Sequence, residues 1–160
     1  MRNVLPLTIL SVALVLSACS SSDNSTVQPS STAPGTSGHT VNVTLREWEI
    51  APDVKNAQAG QITFNVENKG PKEEHEFVIL KTSLAPDKLP ALADGSADEK
   101  GSGVTDVGEV EGIGAGAKST GTFQLGPGTY VFICNVVEQD EELGQVAHYV
   151  QGMRTAFTVQ

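Results

Sequence analysis

Pro127-Gly128-Thr129-Tyr130-Val131-Phe132-Ile133-Cys134 is the stretch on which the fold turns. After a Pro-Gly turn signal, Tyr130, Phe132 and Cys134 fall at every second position, the period of a strand with one face in a core. The same period recurs outward on both sides, in Val41, Val43 and Leu45, in Ile62, Phe64 and Val66, and in Phe77 and Ile79. It returns in Gly121, Phe123 and Leu125 and in Phe157 and Val159. Gly, Pro, Asn or Asp bounds these runs, as in Ala59-Gly60, Asn68-Lys69-Gly70-Pro71 and Gly126-Pro127-Gly128. Short alternating runs separated by turn residues predict an all-β protein, an antiparallel sandwich or barrel. Residues 83–105 break the pattern with Pro86 and Pro90, so a long irregular excursion is expected there, with a helical turn within 86–93. The Gly-rich stretch 108–117 has no strong helix after it and lacks the setting of a phosphate-binding loop.

The chain begins differently. Arg2 precedes an apolar run at 4–16, too short for the roughly 20 residues that a membrane-crossing helix needs, and reads as a secretory signal. Leu16-Ser17-Ala18-Cys19 resembles a bacterial lipobox, which makes 1–18 a signal peptide and Cys19 the lipidated first residue of the mature chain. Lipid at Cys19 would anchor the protein on the extracytoplasmic side of the cell envelope without spanning it. Residues 20–38 are rich in Ser, Thr, Pro and Gly and have almost nothing to bury, so 19–39 reads as a flexible tether of roughly 25 Å span. One domain remains, expected at 40–160.

The mature chain keeps nine Lys and Arg against 19 Asp and Glu, a net charge of −10. That balance disfavours nucleic acid and anionic lipid and favours a basic partner or a cation. With Cys19 taken by lipid, Cys134 is a lone thiol in an oxidising compartment. A lone buried Cys is as readily a small core residue as a ligand.

Four residues with affinity for copper stand in order: His75, then Cys134, His148 and Met153. Cys134 and Met153 are the only Cys and Met of the mature chain besides the lipidated one, and both lie in the last 27 residues, on either side of a His. Each alone has an ordinary explanation: a solvated His, a loop His, a core Met. Together they match one kind of chemistry. A thiolate and two imidazoles in a plane, with a weak thioether above, suit both oxidation states of copper. Structural zinc takes four strong ligands and gains nothing from a thioether.

The segment Trp48-Glu49-Ile50-Ala51-Pro52, the run 59–70 and then His75-Glu76-Phe77 resemble the first half of a cupredoxin. The run 127–134, with His148 and Met153 after it, is similar to the second half. The resemblance implies a Greek-key sandwich with one type 1 copper ion held by His75, Cys134, His148 and Met153. It also brings departures. Thirteen residues, 135–147, separate Cys134 from His148, more than is usual in the family. Where the family often has an Asn after the first His and a Ser or Thr after the Cys, this chain has Glu76 and Asn135, so donor and acceptor are expected to be exchanged across the same gap. Glu73, Glu74 and Glu76 crowd His75, and Glu138, Asp140, Glu141 and Glu142 line the long loop, either as solvated faces or as a steering patch for a basic redox partner.

The function expected is that of a membrane-anchored, monomeric carrier of single electrons between envelope redox proteins, without enzymatic activity. The alternative is a copper-handling lipoprotein that scavenges or delivers the metal, for which a Met-rich or His-rich cluster is expected and not seen in the sequence. A copper enzyme would need further copper sites, and only His39 is left to serve one. A metal-free sandwich would leave Cys134, His148 and Met153 as coincidence.

Overall fold

The computed structural model of the chain describes residues 38–141 and 143–160. The expected signal peptide, Cys19, nearly all of the tether and Glu142 lie outside them.

Two sheets face each other. The first is ordered β2-β1-β4-β7, from Glu49–Pro52, His39–Arg46, Gly60–Asn68 and Lys118–Leu125. The second is ordered β3-β11-β8-β5-β6, from Asn56–Ala57, Arg154–Val159, Gly128–Ile133, His75–Thr82 and Val104–Ile113. β1 begins at His39, which pairs with Ile62, one residue ahead of the expected domain start. Most pairings are antiparallel, but β1 runs parallel to β4 and β3 parallel to β11, so both sheets are mixed. The alternating residues supply the core: Val41, Val43 and Leu45 from β1, Ile62, Phe64 and Val66 from β4, Phe77 and Ile79 from β5, Tyr130 and Phe132 from β8, and Phe157 and Val159 from β11. Gly121 and Phe123 on β7 are half-buried at the margin of this core. A Cβ at Gly121 would lie 2.6 Å from Val110, so a residue without one is needed for that approach.

β5 and β8 are buried on both faces. Val78, Leu80, Val131 and Ile133 point away from the sandwich core into a second cluster with Leu89, Ala97 and Tyr149. The excursion at 83–103 supplies that cover. It contains a single 3-10 turn, Pro86–Lys88, begun by a proline whose missing N–H costs nothing at that position. Its far end is strand β6, whose Asp106, Glu109 and Glu111 give this edge a charged character that discourages further pairing.

Among the described residues no helix is long and apolar enough to cross a membrane. The segment between Cys134 and His148 folds as a hairpin of β9 (Val137–Asp140) and β10 (Gly144–Ala147), followed by the four-residue helix α1, His148–Gln151.

Candidate metal centre

His75 opens β5, on the inward-facing parity of Phe77 and Ile79. Asn68, fully buried at the end of β4, sets its approach. The Asn68 carboxamide donates to the carbonyls of Glu73 and Ile113, each at 2.8 Å, and accepts from the amide of Gly70 at 2.8 Å. The Asn-Lys-Gly turn is thereby locked between β4, β6 and the residues leading into β5. Glu47 braces the same turn from outside, accepting from the amides of Lys72 and Glu73. A Cβ on Gly70 would meet the Glu47 carboxylate at 2.5 Å, so a larger residue there would push this brace aside. Burial pulls the Glu47 carboxyl up, but the amides it accepts from outweigh this and hold it below its usual range.

Cys134 follows β8 on the same inward parity as Tyr130 and Phe132. Its amide donates to the carbonyl of Met153 at 3.1 Å, extending the β8–β11 ladder by one pair. Met153 therefore stands opposite Cys134, and directly opposed residues project from one face of a sheet. Both are fully buried in the sandwich core cluster. His148 reaches the same place from the hairpin, with its amide bonded to the carbonyl of Val136 at 2.9 Å.

These placements bring three donor atoms together. His75 Nδ1 lies 3.1 Å from His148 Nδ1, and Cys134 Sγ lies 3.8 Å from the first and 3.3 Å from the second. All three residues are fully buried. A point equidistant from the three atoms is about 2.0 Å from each, close to metal–imidazole bonds of roughly 2.0–2.1 Å and a little inside metal–thiolate bonds of roughly 2.3 Å. The triangle thus fits one metal ion with a small outward shift of the sulfur.

The electrostatics suit ligation. Burial, reinforced by repulsion from His148, lowers His75 to about 4, and burial lowers His148 too, so both rings are neutral near pH 7 and have a lone pair to give. Burial pushes the Cys134 thiol up to about 12, although the amides of Glu76 and Val136 donate toward the sulfur, the first at 3.4 Å. The thiol keeps its proton until a cation displaces it. His148 Nε2 lies 3.1 Å from the Glu138 carboxylate, and the Trp48 ring meets its ring in a T-shaped contact at a centroid distance of 4.9 Å. His75 Nε2 is buried and has no hydrogen-bond partner among the described residues.

Glu76 and Asn135 face each other across the gap between β5 and β8, on the side turned to the excursion. Their contact is not the exchanged side-chain pair expected from sequence. The Glu76 carboxylate accepts from the backbone amide of Asn135 at 2.9 Å. The Asn135 carboxamide turns to the excursion instead, accepting from the amide of Ala97 and donating to the Ala97 carbonyl and the Glu99 carboxylate. The physical reason is competition: Ala97 offers both a backbone donor and an acceptor to a carboxamide that can satisfy both. Burial, with the nearby carboxylates Glu109, Glu99 and Glu111 adding to it, pushes Glu76 up to about 7 against the pull of that amide.

Sequence reasoning missed Asn68 as the lock on His75 and Glu138 as the partner of His148. The first carried a signal, an Asn two residues before a Gly at the end of a strand. The second lay within an acidic run and had none.

No protein-family model and no curated protein matches the chain. Solved structures do. Dithionite-reduced auracyanin from Roseiflexus castenholzii is 27% identical, with 76% of this chain and 96% of that chain covered and a TM-score of 0.52. Auracyanin B is 19% identical over 78% of this chain and 90% of its own, with a TM-score of 0.52. Rusticyanin from Thiobacillus ferrooxidans is 14% identical over 77% of each chain, with a TM-score of 0.52. The two sheets, their mixed pairing and the His-Cys-His cluster at one end of the core have the form of these proteins: the chain has a cupredoxin-like β-sandwich fold.

Proposed function

We propose that this domain carries single electrons through one type 1 copper ion that His75, Cys134 and His148 would hold, with Met153 as a weak fourth ligand. The observation that carries the reading is the buried triangle of two Nδ1 atoms and one Sγ, each drawn from a different part of the chain. Copper bound there supplies reversible one-electron chemistry, and the softness of the sulfur against the nitrogens favours it over zinc. The protein's own part is to hold the donors still and dry. Rigid placement keeps them close to the same positions in both oxidation states, which lowers the reorganisation each transfer requires. Complete burial of the three donors favours a retained ion over the delivery of copper to other proteins, which needs ligands open to exchange. The nearest support from another protein is that the auracyanin above exists in a dithionite-reduced form.

The finer parts of the reading rest on sequence. A lipid at Cys19 and a tether would keep the domain at the extracytoplasmic face of a membrane, within reach of envelope redox partners. Glu73, Glu74, Glu138, Asp140 and Glu141 flank the ligands and suit a basic partner, whose association would slow steeply as salt is raised. Adding Cu(II) to the purified chain tests the centre. Development of an intense band at about 600 nm, as thiolate-to-copper charge transfer in a trigonal site gives, with bleaching on reduction and recovery on oxidation, is expected. A chain that binds no copper, or binds it without that band, would overturn the reading.

A further inference from the structure

We propose that Glu138 is a positioning residue of the metal centre, presented by the β9–β10 hairpin to fix the His148 ring with its Nδ1 lone pair toward the ion; this rests on the copper reading above.

The hairpin's register delivers the carboxylate. Val137 pairs with Ala147 and Glu138 with Val146, and the amide of His148 carries the ladder on to the carbonyl of Val136. Side chains alternate across a strand pair, so Val136, Glu138, Val146 and His148 share one face and Glu138 is the diagonal neighbour of His148. A shift of one residue would turn Glu138 to the opposite face. In the observed register His148 Nε2 lies 3.1 Å from Glu138 Oε1, and because an ionised carboxylate can only accept, the ring nitrogen is the donor this contact calls for. With the proton held on Nε2, Nδ1 is left as the acceptor, and this is the atom 3.3 Å from Cys134 Sγ and 3.1 Å from His75 Nδ1.

The other histidine shows what is missing without such a partner. His75 Nε2 is buried and has no acceptor among the described residues, and its ring is placed by the strand that bears it. His148 sits at the first position of a four-residue helix at the end of a hairpin, outside the two large sheets. Carboxylates bonded to the outer nitrogen of a ligating His fix its tautomer and orientation and raise its basicity, and losing one costs roughly 10–100-fold in metal affinity. The 13 residues between Cys134 and His148 thus have a use, which is to bring a carboxylate back beside the second imidazole. Its negative charge also favours the more positive oxidation state of the ion and lowers the reduction potential.

The test uses the full chain with E138A and E138Q. In the metal-free 15N-labelled protein, His148 is expected in the Nε2–H tautomer in wild type and E138Q, whose amide oxygen still accepts, and to lose that preference in E138A. Copper affinity is expected to fall roughly 10–100-fold in E138A and to stay within a few-fold of wild type in E138Q. E138Q, which removes a negative charge from beside His148, should nevertheless have a raised reduction potential at pH 8. An Nδ1–H tautomer in wild type, wild-type affinity in E138A, or an unchanged potential in E138Q would overturn the proposal. Should E138A fail to fold, the wild-type tautomer and the E138Q potential still decide. Should wild type bind copper without a charge-transfer band, the copper reading falls, and the tautomer alone decides the role of Glu138.

Discussion

His75 and His148 present the same nitrogen to the same point, and they are held there by opposite means. His75 belongs to an eight-residue strand lying between β6 and β8, and its turn is locked by the buried Asn68. Its position is a property of the backbone, and its outer nitrogen has no partner among the described residues. His148 stands outside both large sheets, between a hairpin and a short helix, and its ring is fixed by side chains: Glu138 on its outer nitrogen and Trp48 in a T-shaped contact with the ring. The difference teaches where each ligand is vulnerable. The first should be lost only with the local fold, whereas the second can be loosened while the sandwich stays intact.

Asn68→Ala is the harshest way to break this comparison. It leaves the buried carbonyl of Ile113, the half-buried carbonyl of Glu73 and the amide of Gly70 without their partner, at a cost of about 1–3 kcal/mol for each group that water cannot reach, so a loss of about 2–5 kcal/mol in all is expected from denaturant unfolding. Copper binding should fall together with stability. A variant that unfolds at the wild-type midpoint would show that the turn before β5 does not depend on Asn68.

Asn135→Ala sharpens the contrast with a smaller effect. The carboxamide ties the residue after Cys134 to the excursion at Ala97 and Glu99, while its backbone amide, which alone serves Glu76, survives the change. Partial exposure lets water replace part of what is lost, so about 1–2 kcal/mol is expected. Copper should then dissociate faster with its spectrum nearly unchanged, because the amide hydrogen bond between the ligand loops remains. Loss of the charge-transfer band in this variant would mean that the excursion, and not the Glu76–Asn135 backbone contact, sets the geometry of Cys134.

Much of this could be read from the chain, and what escaped did so for identifiable reasons. β1, β4 and β11 declared themselves because one face of each is buried in the sandwich core and their apolar residues alternate, and in β5 and β8 the residues that face this core recur at the same period. β6 did not, since it is an edge strand with Asp106, Glu109 and Glu111 and irregular pairing to β5. The runs Phe77-Val78-Ile79-Leu80 and Tyr130-Val131-Phe132-Ile133 are apolar at every position because the excursion covers their second face, a continuous pattern that only tertiary burial explains. His75, Cys134 and His148 were legible as rare residue types with one shared chemistry. The hairpin between the last two was not, because an acidic run hides a short strand pair turned by Gly144 in the left-handed region. For Glu76 and Asn135 the sequence indicated the correct neighbours but not the atoms, since it cannot show that Ala97 competes for the carboxamide.

X-ray absorption at the copper edge of the loaded full chain tests the convergence of the three donors most directly. The expected first shell has one sulfur and two imidazole nitrogens, at metal–ligand distances of roughly 2.0–2.3 Å. A shell of nitrogen and oxygen alone, with no short sulfur, would contradict it, because Cys134 would then stand apart from the ion that His75 and His148 hold.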